Sequence, residues 1–136
     1  MAGVDPTGQL ALSGPFTKEF GMAALAHLRL AERPPTAVFA ASDVIATGLV
    51  VAARLQGLDI PADLSVVGFD GSPSNWLLAP GLTTVQVSQE AMAAAAVRLV
   101  IDRLDDPARP VEQVVTPVAL VLGESVSRVS VPVSAS

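Results

Sequence analysis

The 136-residue sequence contains no cysteine and no tyrosine, a single histidine (His27), a single tryptophan (Trp76) and a single lysine (Lys18). Without cysteine there are no disulfides, no thiolate metal sites and no thiol chemistry. One histidine speaks against a His-based metal site or a Ser–His–Asp triad, and His27 reads as a packed or solvent-facing helical residue. Long apolar runs are also missing: stretches such as Leu49–Ala53 fall far short of the roughly 20 residues a membrane span needs. Positive charge is scarce, with 8 Lys+Arg against 13 Asp+Glu and a net charge of −5, so there is no electrostatic footprint for a phosphate backbone. The first residues carry no basic segment followed by an apolar run, hence no secretory signal, and a cytoplasmic chain is expected. What is abundant is apolar: 51% hydrophobic residues and only 15% charged, with a mean hydropathy of +0.54. A chain of this length and composition folds around one core rather than remaining disordered.

Periodicity and punctuation order the elements. Gln9–Ser13 is a short apolar run, a candidate strand ending at Gly14-Pro15. Phe20, Ala24, Leu28 and Ala31 recur at helical spacing across Lys18–Glu32, with Thr17 as N-cap and Pro34-Pro35 as stop. Thr36–Ala41 is apolar on both faces, the pattern of a buried parallel strand. Ser42 or Asp43 caps a second helix, Val44–Gln56, and Gly57 stands where a C′ glycine belongs. Leu64–Phe69 is another fully apolar strand, followed by a loop rich in Gly, Ser, Asn and Pro over Asp70–Gly81. Leu82–Val87 is a short strand and Gln89–Leu104 an Ala-rich helix. Gln113–Leu122 reads as two strand segments separated by Pro117, and residues 129–136 read as a frayed tail.

Strands alternating with helices predict an α/β fold with a parallel sheet flanked by helices. In such sheets the ligand crevice lies beyond the carboxyl ends of the strands. The residues that leave each strand or open the next helix are Phe16 and Thr17, Ser42 and Asp43, and Asp70 through Asn75. An aromatic, hydroxyls, carboxylates and an amide on one edge suit a small polar ligand. The plainer readings are an N-cap or first-turn acid for Asp43, an Asx-turn for Asp70 and core packing for Phe16. Trp76 with Leu77 and Leu78 forms an aromatic–aliphatic cluster that suits an interface or intramolecular cover.

Three blocks in order, Pro35–Asp43 (PTAVFAASD), Ile60–Asp70 (IPADLSVVGFD) and Leu82–Val85 (LTTV), resemble the C-terminal effector-binding region of lactose-repressor-family (LacI-type) transcription regulators. Gly14-Pro15-Phe16-Thr17 with Gly21, and Pro117–Ser125 (PVALVLGES), resemble two weaker family segments. The likeness runs from about Val4 to Arg128. It implies a partial periplasmic-binding-protein-like (type I) sensor domain, with no catalytic residues, no metal and no cofactor. It also implies a sugar or other small polar effector, a homodimer or larger oligomer, and contact with DNA only through a headpiece outside this sequence.

By this resemblance residues 1–87 form the C-terminal effector-binding subdomain, shortened at its start. Residues 88–117 would complete an N-terminal subdomain, and residues 118–128 return to the first body. Phe16 stands where an aromatic ring stacks on effector and Asp70 where a carboxylate accepts from it, with Thr17, Ser42 and Asp43 as further ligand-binding candidates. Ser42 replaces the usual Asn, Gly71 a frequent Asp or Asn, and Val87 a common Gln, which makes the ligand edge less polar. Ile45 and Leu49 of the second helix, with Trp76, Leu77 and Leu78, are the expected interface residues. Two rival readings share parts of the pattern. A transporter's solute-binding protein has the same fold, and an Mg²⁺-dependent α/β enzyme would pair Asp43 with Asp70.

Overall fold

The computed structural model describes residues 10–73, 75, 78 and 81–128. The elements run α1 (Lys18–Arg29), β1 (Ala37–Phe39), α2 (Asp43–Leu55), β2 (Ser65–Asp70), β3 (Thr83–Val87), α3 (Gln89–Asp105) and β4 (Val118–Val121). The strands form one sheet in the order β1-β2-β3-β4. The first three are parallel, with Val38 opposite Val66 and Asp70 opposite Gln86, while β4 runs antiparallel to β3 with Thr84 opposite Val121. The parallel α/β expectation is met, and an antiparallel edge strand is added to it.

Each of the first two helices begins on the cap its sequence offers. Thr17 accepts from the Phe20 N–H at 3.1 Å and opens α1; Ser42 accepts from the Ile45 N–H at 3.4 Å and opens α2. Gly57, just past the end of α2, has φ +71°, a conformation glycine adopts without Cβ strain. The buried face of α1 is Gly21, Ala24, Leu25 and Leu28; that of α2 includes Ile45, Ala46, Leu49, Val50, Ala52 and Ala53. The two helices cross where Gly21 meets the Ile45 carbonyl and Gly48 meets that of Lys18, a close approach with no room for a Cβ. At their other ends Arg29 donates to Gln56 at 2.8 Å, so both N-termini lie at one end. Beneath them Leu25, Leu49 and Val66, each at most 1% exposed, form the centre of the core.

The opposite face of the sheet is uncovered at β1. Val38 and Val66 point toward α1 and α2, while Phe39, their neighbour on the other face, is 63% exposed. The expected burial of Thr36–Ala41 on both faces is therefore corrected: β1 is a three-residue edge strand covered on one side. Two strand expectations also fail. Residues 10–13 are irregular and exposed, and residues 113–116 form no strand. After β4 the chain binds back to the core. The Ser125 hydroxyl, fully buried, accepts from the Thr83 N–H at 2.8 Å and donates to the Val66 carbonyl at 2.6 Å.

α3 differs from the other helices because none of its residues is buried. It is held locally instead. Arg98 and Arg109 pair with Asp102 and Glu112 at 2.6–3.2 Å, and Arg103 donates to the carbonyls of Pro107, Arg109 and Pro110. The Arg98 hydrogen bond holds the Glu112 carboxyl below the ordinary carboxylate range, and Glu112 in turn raises Arg98. That contribution is present above the ordinary Glu pKa and is lost as pH falls through the lowered one. These ions lie in solvent, so the network shapes the turn after α3 more than it stabilises the fold.

Candidate functional site

The carboxyl edge of the parallel strands and the N-termini of α1 and α2 meet at one end of the molecule. β1 delivers Ser42 and Asp43, β2 delivers Asp70, β3 delivers Gln86 and Val87, and α1 brings Phe16 and Thr17. The Gly14 backbone lies against the Phe20 ring, which seats the segment that carries Phe16.

Asp43 is the most constrained polar side chain of this edge. It is 1% exposed. One carboxylate oxygen accepts from the Ser72 N–H at 2.6 Å and the Asn75 side-chain amide at 2.7 Å; the other accepts from the Thr84 hydroxyl at 2.6 Å. A Cβ at position 68 would strike the latter oxygen, which explains the glycine in the otherwise bulky strand β2. A carboxylate has about four lone-pair sites, and three of Asp43's are occupied by the protein itself. Burial and these three protein donors turn the carboxylate inward, away from an open ligand contact.

Asp70 is the opposite case. Its carboxylate has no hydrogen-bond partner among the described residues and is half-buried at the end of β2. Its backbone has φ +113°, a strained conformation for a residue with a Cβ, at a cost of roughly 1–3 kcal/mol. Such strain persists only where neighbouring contacts over-determine the backbone. Gly71 follows with φ +71° and packs against Gln86 with no room for a side chain. Phe16 is 67% exposed at the same end, so its ring faces solvent rather than the core. The Thr17 and Ser42 hydroxyls each accept one helix-cap hydrogen bond; Ser42 is 4% exposed, and Thr17 is partly exposed. The accessible chemistry of the edge therefore includes a carboxylate with no partner among the described residues, an exposed aromatic ring and the exposed Gln86 side chain.

Of the expected interface residues, Ile45 and Leu49 are 7% and 1% exposed and belong to this chain's own core. That expectation is corrected: they lie on the face of α2 that packs inward. Leu78 is partly buried against the same core, and Trp76 and Leu77 lie outside the described residues.

Thr84, Ser125 and Gln86 do not stand out in the sequence. A signal for the first is present. Adjacent hydroxyls in a buried strand (LTTV) point to opposite faces, and each then needs its own partner. Thr84 donates to Asp43 on one face, and the Thr83 hydroxyl accepts from the Gly123 N–H at 3.0 Å on the other. Among the described residues no group of three or more His, Cys, Asp and Glu is placed to hold a metal ion.

The sequence matches the periplasmic binding protein-like domain family over residues 1–126. It is 44% identical over 113 residues to the HTH-type transcriptional regulator MalR of Streptomyces coelicolor, covering 82% of this chain and 32% of that protein. It is 40% identical over 101 residues to the HTH-type transcriptional repressor CytR of Escherichia coli K12, covering 74% of this chain and 29% of that one. Among solved structures it resembles a LacI family regulator from Enterococcus faecalis with bound ribose. The TM-score is 0.77 at 28% identity, over 84% of this chain and 42% of that one. A LacI family regulator from Lactobacillus casei with bound sucrose superimposes with a TM-score of 0.67 at 30% identity, over 80% of this chain and 40% of that one. The chain thus spans about a third of the length of the curated relatives it matches.

Proposed function

The chain belongs to the periplasmic binding protein-like family, in the form carried by LacI-type transcription regulators, and on that premise we propose that it is an effector-sensing region for a sugar or similar small polar compound. The observation that carries this reading is Asp70: a strained backbone at the carboxyl edge of a parallel sheet, holding a carboxylate with no partner among the described residues. Sugars present hydroxyl donors on their rim and apolar C–H faces. Asp70 suits the donors, and the exposed Phe16 ring suits a C–H face. The bound ribose and sucrose of the two structural relatives fall in the same chemical class.

A cytoplasmic location and a homodimer or larger oligomer belong to the same reading. DNA contact falls to other parts of a regulator, because a net charge of −5 repels phosphate. No described helix is long and apolar enough to cross a membrane. The transporter component is less well supported, since MalR and CytR are transcription regulators. The Mg²⁺-enzyme reading loses its first ligand, because Asp43 already accepts three hydrogen bonds from the protein.

Calorimetry with a panel that includes ribose and sucrose tests the proposal. Asp70→Ala is expected to weaken binding by about 1–3 kcal/mol, roughly 5- to 150-fold, through an unpaired ligand hydroxyl. Phe16→Ala should also weaken binding while leaving thermal stability nearly unchanged, since its ring is mostly in solvent. Binding unaffected by both substitutions would remove Asp70 and Phe16 from the site.

A further inference from the structure

We propose that Asp43 is a positioning residue: without touching effector, it holds Ser72 and Asn75 beyond the end of β2 and so sets the Asp70 carboxylate at the sheet edge. The relevance to effector rests on the sensing function proposed above; the positioning itself rests on geometry alone. Asp43 sits at the first residue of α2, yet that helix is already capped by Ser42, so capping does not account for its carboxylate. Its three partners lie 29, 32 and 41 residues along the chain, at Ser72, Asn75 and Thr84. One buried side chain thereby ties the start of α2 to β3 and to the segment leaving β2. Asp70 immediately precedes the tied segment and keeps its φ of +113° there. A backbone in that region relaxes unless its neighbours are held, and Asp43 supplies the hold two residues downstream.

The geometry also says which substitution should be harmless. Both loop donors, the Ser72 N–H and the Asn75 amide, address a single Asp43 oxygen, and the other oxygen meets only a hydroxyl, that of Thr84. An asparagine can place its carbonyl oxygen toward the first pair and its NH₂ toward the Thr84 hydroxyl, which accepts as readily as it donates. Asp43→Asn therefore keeps the arrangement, and Asp43→Ala removes it. A role resting on negative charge would not be rescued by Asn.

Amide hydrogen exchange of the ligand-free chain, followed by NMR, reads the positioning directly. In Asp43→Ala the Ser72 amide is expected to exchange at least tenfold faster, while the core amides of Leu25 and Leu49 change less than threefold. In Asp43→Asn all three should stay within threefold of the unaltered chain. An unchanged Ser72 amide in Asp43→Ala, or equal losses at Ser72 and the core in both variants, overturns the proposal. Should Asp43→Ala not fold, Asn75→Ala removes one arm from a half-buried loop position; faster Ser72 exchange there supports the proposal and no change overturns it. Ribose calorimetry adds the functional arm. Where ribose binds, Asp43→Ala should raise its Kd about tenfold and Asp43→Asn less than threefold; equal Kd values for Asp43→Ala and the unaltered chain overturn the proposal. The expected exchange pattern in a chain indifferent to ribose and the other sugars supports the positioning role and overturns the sugar reading.

Discussion

Gly48→Ala is expected to destabilise the chain by about 2–3 kcal/mol, the opposite of what helix propensity alone predicts. Glycine inside a helix is less favourable than alanine by about 1 kcal/mol, so an exposed site would gain from the change. Gly48 lies instead at the crossing of α1 and α2, where a new Cβ would meet the Lys18 carbonyl oxygen and the Gly21 Cα. Those are backbone atoms and cannot turn aside as a flexible side chain would. The helices must separate, and the layer that includes Leu25 and Leu49 loosens with them. Total stability for a domain of this size is on the order of 5–15 kcal/mol, so the loss is a large share. Gly81→Ala is the control, because nothing lies within 4 Å of its Cβ position; it should shift stability by less than about 0.5 kcal/mol. Urea unfolding midpoints of the two variants decide the matter. A stabilised Gly48→Ala would mean that the helix crossing is wider than described.

Local signals are legible where a local cause determines the structure. Thr17 and Ser42 cap the helices their positions announce, Gly57 ends α2, and the apolar run Leu64–Phe69 becomes β2, over Ser65–Asp70. The carboxyl-edge rule also brings Phe16, Asp43 and Asp70 to one end from the order of strands and helices alone. What stays hidden depends on distant partners. Thr36–Ala41 reads as buried on both faces because Phe39 is apolar, but burial requires a second covering layer, and local sequence does not reveal whether one is present. Asp43 reads as a first-turn acid or a ligand contact because its partners are 29 to 41 residues away. Ile45 and Leu49 read as interface residues because an apolar face looks the same whether it meets a second subunit or a helix of its own chain.

The same ambiguity, reversed, bears on whether the chain self-associates. The family resemblance assigns residues 88–117 to a body other than the one they follow, and α3 buries nothing in this chain. Met92, Val97, Val100, Ile101 and Leu104 are 49–75% exposed, Val111 and Val115 are 91% and 84% exposed, and every residue of β4 is exposed. Among the described residues β4 is also a sheet edge with one side unpaired, as is β1 at the opposite end of the sheet. Such surfaces are costly in water and prone to pairing. Burying about 400 Å² of apolar surface contributes on the order of 10 kcal/mol before association costs of roughly 4–15 kcal/mol, which places self-association in a range that micromolar protein reveals. Because Ile45 and Leu49 face inward, α2 can contribute only outer residues such as Val44 and Leu55, 45% and 75% exposed, and the main contact falls to α3 and β4. Light scattering of the chain at micromolar concentration is therefore expected to give the mass of a dimer or larger species. Ile101→Asp, which puts a charge on the exposed face of α3, should shift that mass toward 13.9 kDa without lowering the unfolding midpoint at low concentration. A monomer mass for the unaltered chain rejects the association, and an Ile101→Asp chain that still dimerises moves the contact to the β1 or β4 edge.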